Sequence, residues 1–164
     1  PEGGCPPSPS TNCTSDPSNS RWPTFEIEFI VAGEPEQTWE RLWDLDRHTA
    51  AVPLTVVTGG PLALGSRFVG RTKFGPLHLD DVMVVREWDP PLRCVIEKVG
   101  TPLRGRIEAT LTPLGTGQTT LHWRQSYAVA RLPDRLVGLA RPLVRLAYAH
   151  ALRRITHAAD TTSA

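Results

Sequence analysis

Residues 141–158 read RPLVRLAYAHALRRITHA, and the reading of this stretch decides the fold. Leu143, Val144, Ala147, Tyr148, Ala151, Leu152 and Ile155 fall on one side of a helical wheel. Arg145, His150, Arg153, Thr156 and His157 fall on the other, the pattern of an amphipathic helix that covers an apolar surface. At ~1.5 Å per residue such a helix spans about 27 Å, enough to lie across a curved sheet. Pro142 would interrupt a helix running straight through from Pro133. A short turn is therefore expected first, with the main helix starting near Arg141.

The surface to be covered is announced upstream. Phe25, Ile27, Phe29 and Val31 alternate with Glu26 and Glu28, a strand with one apolar face. Pro35 with acidic neighbours opens a helix expected to run to about Leu45, on which Trp39, Leu42 and Trp43 share a face. A second short helix is expected over Asp46 to Val52, ended by Pro53. Strands then alternate with turns: Leu54–Thr58, Arg67–Phe74, Leu77–Trp88, Arg93–Val99, Arg104–Leu114 and Thr119–Val129. With the first, that makes seven, and their short connections require an antiparallel sheet, since parallel pairs need long crossovers. The fold class is α+β.

At 164 residues the chain fits one domain, expected over residues 24–158. Residues 1–23 are rich in Pro, Ser, Gly, Asn and Thr and are expected to be a disordered tail. Residues 159–164 form a short C-terminal tail. A net charge of +1 gives no overall attraction to nucleic acid or to an anionic membrane. No apolar run is long enough for a stable membrane insertion. No secretory signal is visible, so the reading is a soluble, cytoplasmic protein. The three cysteines, Cys5, Cys13 and Cys94, are too few and too scattered for a disulfide scaffold, and Cys94 reads as a buried free thiol. The oligomeric state is left open.

Four segments, in this order and spacing, carry a resemblance. Glu34-Pro35-Glu36-Gln37-Thr38-Trp39 opens the first helix, and Gly65-Ser66-Arg67-Phe68 opens a strand. Arg86-Glu87-Trp88-Asp89-Pro90-Pro91 ends a strand, and Leu111-Thr112-Pro113-Leu114-Gly115-Thr116-Gly117 precedes the last one. Over nearly all of residues 24–158 the chain resembles the START-like, Bet v 1-like superfamily, and more closely the bacterial polyketide cyclase/dehydrase and lipid-transport (SRPBCC) proteins. The resemblance implies the helix-grip fold: a seven-stranded curved sheet wrapped around a long C-terminal helix, with two short helices after the first strand. It implies a ligand cavity between sheet and helix and does not by itself imply a reaction.

Catalytic constellations are sparse. His78 and Asp80 share a strand face but have no third or fourth partner nearby in sequence, so no metal site is assigned. Without a phosphate loop, dinucleotide fingerprint or nucleophile elbow, no cofactor is expected. His122 and Arg124 should face solvent, and His48 sits in a connecting segment. Strict alternation would put Asp81 on the apolar face of Leu79, Met83 and Val85, where burial would raise its pKa and suit a general acid. The favoured expectation is instead a bulge at Asp80–Asp81 that turns both outward. Asp81 and Tyr127 stand as the catalytic candidates. The arginines on and before the last helix are read as a solvated face, with an anionic partner or a membrane surface as the alternative.

Ala147 and Ala151 sit mid-helix between larger neighbours. They leave space against a curved sheet or let the helix pack close, and the resemblance selects the first. Inward positions by alternation are Phe68, Thr72, Phe74, Met83, Ile96, Leu111, Trp123 and Tyr127. With Val144, Ala147, Tyr148 and Ala151 they make the expected ligand-binding set, apolar with a few hydroxyls. The expected function is binding or carriage of a small, largely apolar molecule, lipid-, polyketide- or quinone-like. The alternatives are a cyclase or dehydratase acting on such a molecule, and an interaction module using the arginine-bearing helix.

Overall fold

The structure is a computed structural model that describes residues 22–115 and 117–157, the side chain of Phe74 excepted. The order is β1 (Thr24–Ala32), α1 (Pro35–Leu42), α2 (Leu45–Ala51), β2 (Thr55–Thr58), β3 (Arg67–Phe74), β4 (Leu77–Asp89) and β5 (Arg93–Val99). Then come β6 (Leu103–Pro113), β7 (Gln118–Val129), α3 (Asp134–Leu139) and α4 (Arg141–Thr156). The seven strands form one antiparallel sheet in the order β1-β7-β6-β5-β4-β3-β2. This is the helix-grip fold, with α4 held by the curled sheet. No helix among the described residues is long and apolar enough to cross a membrane. The tails expected at residues 1–23 and 159–164 lie, save Trp22 and Pro23, outside the described residues, as do Cys5 and Cys13.

The first helix is shorter than its apolar face suggests. It ends at Leu42, and Trp43 closes it by donating its backbone N–H to the Trp39 carbonyl. Asp44 then caps a new helix, its side chain accepting from the backbone N–H groups of Asp46 and Arg47 at 2.9 and 3.3 Å. That cap turns the chain while keeping Trp39, Leu42 and Trp43 buried. Trp39, Trp43, Trp88 and Trp123 join at centroid distances of 4.8 to 6.2 Å, tying α1 to the sheet.

Sheet curvature comes from two features. The β4–β5 ladder slips between Val85 and Glu87, a bulge that increases local twist. At Gly105 the neighbouring strand comes so close that a Cβ would lie 2.2 Å from the Ser126 carbonyl oxygen, so only glycine fits. The bulge expected at Asp80–Asp81 does not form. The β3–β4 ladder runs unbroken through Arg71↔Asp80 and Gly70↔Asp81, and alternation therefore sends these neighbours to opposite faces.

The last helix also departs from the wheel. Leu152, Ile155 and Thr156 are buried, whereas Leu143 and Ala147, expected on the covered side, are exposed. Leu143 and Leu146 face solvent at 70% and 66% exposure, while between them Val144 packs on the core and Arg145 donates to the Glu26 carbonyl of β1 at 2.9 Å. Thr156, expected outside, is buried because its hydroxyl donates to the Leu152 carbonyl at 2.9 Å and needs no water.

Candidate functional site

Between α4, α2 and the inner faces of β2 to β5 lies a cavity of about 210 Å³. Its wall follows from the alternation of the strands and from the small Ala147 and Ala151 of α4. Phe68, Gly70 and Thr72 come from β3, Asp81 and Met83 from β4, Ile96 and Lys98 from β5. Ile107 and Trp123 close the sheet side, and Trp43, Leu45, His48 and Val52 the α2 side. Ala147, Tyr148, Ala151, Leu152 and Ile155 of α4 form the roof. Gly70 contributes volume directly: a Cβ there would make ordinary contact with Met83 at 3.6 Å, and any longer side chain would enter the cavity.

Phe68, Thr72, Met83, Ile96, Trp123, Ala147, Tyr148 and Ala151, expected from sequence, all stand in this wall. Leu111 and Tyr127 do not; both are buried, but within the solid core. Val144 packs against that core, half-buried. Phe74 lies on β3, but its side chain is outside the described part.

The wall's main polar feature is an ion pair. Lys98 Nζ donates to the Asp81 carboxylate, with the side chains 1% and 16% exposed. Lys98 also approaches the Met83 sulfur at 3.9 Å. Burial works against the ammonium charge, yet the Tyr148 phenol and the Asp81 carboxylate beside it outweigh that penalty. The Lys98 pKa is therefore held above its ordinary value, and the amine stays a charged donor with no nucleophilic lone pair. The other Asp81 oxygen, Oδ1, is buried and accepts no hydrogen bond from the described residues. Asp81 thus points inward, against expectation, and does so beside a counter-charge. Its neighbour Asp80 points outward to Arg71, at 2.7 Å for each of two hydrogen bonds.

His48 belongs to α2 and reaches the cavity wall, where its Nε2 lies 2.6 Å from the Leu42 carbonyl oxygen and donates to it. Burial lowers its pKa, although the Leu42 carbonyl and Asp44 pull the other way, so the ring is neutral at neutral pH. Thr55 and Thr72 share a hydrogen bond of 2.7 Å and satisfy one another. Tyr127 is a different case: its hydroxyl is buried without a partner among the described residues, and burial raises its pKa, but it is absent from the cavity wall. Burial and the nearby Glu87 push the Cys94 thiol up to about 12. Among the described residues no three His, Cys, Asp or Glu side chains converge as metal ligands. His78 is exposed, His122 meets Glu26 at the surface at 3.6 Å, and Arg124 meets it at 3.5 Å.

Neither Lys98 nor His48 stands out in sequence. Cys94, Ile96 and Lys98 alternate onto one face, so the signal for Lys98 was the period of its own strand. For His48 no comparable signal exists, because the Asp44 cap decides the orientation of α2.

The family pattern described as polyketide cyclase / dehydrase and lipid transport matches residues 23–160. No curated protein matches the sequence. Among solved structures, a START superfamily protein from Mycobacterium smegmatis is similar over 81% of this chain and 96% of that one, with a TM-score of 0.65 at 12% identity. The di-domain ARO/CYC protein StfQ of the steffimycin biosynthetic pathway is similar over 85% of this chain, with a TM-score of 0.65 at 13% identity. This chain spans 51% of that protein. Ara h 8.0201 is similar over 80% of this chain and 96% of its own, with a TM-score of 0.56 at 11% identity. At such identities the likeness is one of fold.

Proposed function

The chain belongs to the polyketide cyclase / dehydrase and lipid transport family, and on that premise we propose that its cavity binds and carries a small, largely apolar molecule. The cavity itself is the observation that carries this reading. At about 210 Å³, with a mostly apolar wall, the space exceeds what imperfect packing leaves between side chains. A fold that retains such a space while four indoles pack tightly next to it has volume to offer a guest. Mass spectrometry of the intact protein under non-denaturing conditions tests the proposal. A bound small molecule, or uptake of an added one in a one-to-one ratio, is the expected result. A protein that stays empty in the presence of a range of apolar compounds would overturn it.

A second reading, a cyclase or dehydratase acting on a polyketide-like molecule, is favoured by one arrangement. A neutral imidazole at His48 and the Asp81–Lys98 pair stand in the same wall, so a base, an acceptor and a charged donor face one guest. The similarity to an ARO/CYC protein supports the same direction. Loss of turnover of an identified substrate in His48→Gln, with its binding retained, would establish the enzymatic reading over the carrier.

A further inference from the structure

The polar wall selects among apolar guests. Resting on the binding reading above, we infer that the cavity takes a neutral molecule bearing a hydroxyl group, an alcohol or phenol, in preference to a carboxylate or a plain hydrocarbon. The juxtaposition of Asp81 and Lys98 carries this. A buried ion pair has zero net charge, so an anionic head group meets Asp81 as well as Lys98 and gains little from the ammonium while losing its water. A cationic group meets the converse.

A hydroxyl suits both partners at once. Its O–H donates to Asp81 Oδ1, the buried acceptor that has no partner among the described residues, and its oxygen accepts from the Lys98 ammonium. Both are charge-assisted hydrogen bonds, stronger than their neutral counterparts. Of the wall's own hydroxyls, Thr55 and Thr72 are bonded to each other, and Tyr148, beside Lys98, competes for the ammonium but leaves Asp81 Oδ1 without a donor among the described residues. Size narrows the class further. A cavity of about 210 Å³ falls below the usual ~300–1,000 Å³ of drug-sized sites, which suits one or two rings or a short chain better than a two-chain lipid.

Equilibrium dialysis at neutral pH with β-naphthol, naphthalene and β-naphthoate tests the inference, since the three probes share a ring system and differ in the polar group. The expected order is β-naphthol tighter than naphthalene by about tenfold or more, with β-naphthoate weakest. Asp81→Asn alone would strand a buried ammonium and could unfold the chain. The informative variant is therefore Asp81→Leu with Lys98→Met, which replaces the pair by apolar groups of similar volume. It is expected to bring β-naphthol within about threefold of naphthalene. Equal affinity of the wild type for naphthalene and β-naphthol, or tightest binding of β-naphthoate, overturns the inference and leaves the carrier reading standing. Failure to retain any of the three overturns both.

Discussion

Arg71 grips Asp80 on the outer face of the sheet through two hydrogen bonds of 2.7 Å, one residue away from an aspartate that faces the interior. The register of β3 against β4 makes this contrast: Arg71 opposes Asp80, and Gly70 opposes Asp81. Two adjacent carboxylates thus have different work. The outer pair is solvated, and Asp80→Asn should leave both the thermal midpoint and guest affinity nearly unchanged. Asp81→Asn removes the counter-charge from Lys98, whose side chain is 1% exposed, and should cost about 3–5 kcal/mol in denaturant unfolding. Equal effects of the two substitutions would contradict the assigned faces.

Stability should fall on the acid side through His48. Its pKa lies below the ordinary histidine value because burial disfavours the charged ring. The unfolded chain then binds a proton that the folded chain refuses, so the contribution is full above the ordinary value and drains away as pH falls through the folded one. Chemical denaturation from neutral to weakly acid pH should show a steeper loss in the wild type than in His48→Gln. Parallel profiles would mean the ring is not buried in solution.

Gly70 offers a way to close the cavity without disturbing the core. Its backbone lies in a regular strand pair, and the first added carbon meets only ordinary contacts. Gly70→Leu should therefore fold, with the added side chain occupying the guest's space. Affinity for any apolar probe should drop by more than about tenfold, equivalent to ~1.4 kcal/mol. Unchanged affinity in a folded variant would show that guests bind elsewhere.

Cys94 should resist alkylation. With its thiol pushed up to about 12 and its side chain buried, almost no thiolate is present at mildly alkaline pH. Peptide mapping after iodoacetamide treatment should find Cys94 unmodified in the native protein and fully modified in denaturant. Rapid native labelling would refute this.

The parts of the molecule legible in sequence are those set by local period. Seven strands, the antiparallel sheet and the helical ends follow from alternation and from turn residues. The face of a strand residue is equally legible, which is why Phe68, Met83, Ile96 and Trp123 were placed in the wall. Position along the sheet is not. Leu111 and Tyr127 have the right parity, yet they pack where the core is solid. The bulge forms beside Arg86, with no glycine or proline to mark it, whereas the two adjacent aspartates continue a regular ladder. A helical wheel likewise records direction but not distance, so it cannot tell that Leu152 and Ile155 are fully buried while Leu143 is exposed.

One edge of the sheet has a kinetic consequence. β2 has four residues, is the terminal strand, and contributes Thr55 and Val57 to the neighbourhood of the cavity. A short edge ladder is among the first regions of a sheet to open, long before the whole domain unfolds. Residence time of a guest would then be governed by fraying of this edge together with α2. Substitutions that weaken the distant β1–β7 ladder would lower the melting temperature and leave the off-rate alone, whereas loosening the Thr55–Thr72 bond would shorten residence in a protein of nearly unaltered stability.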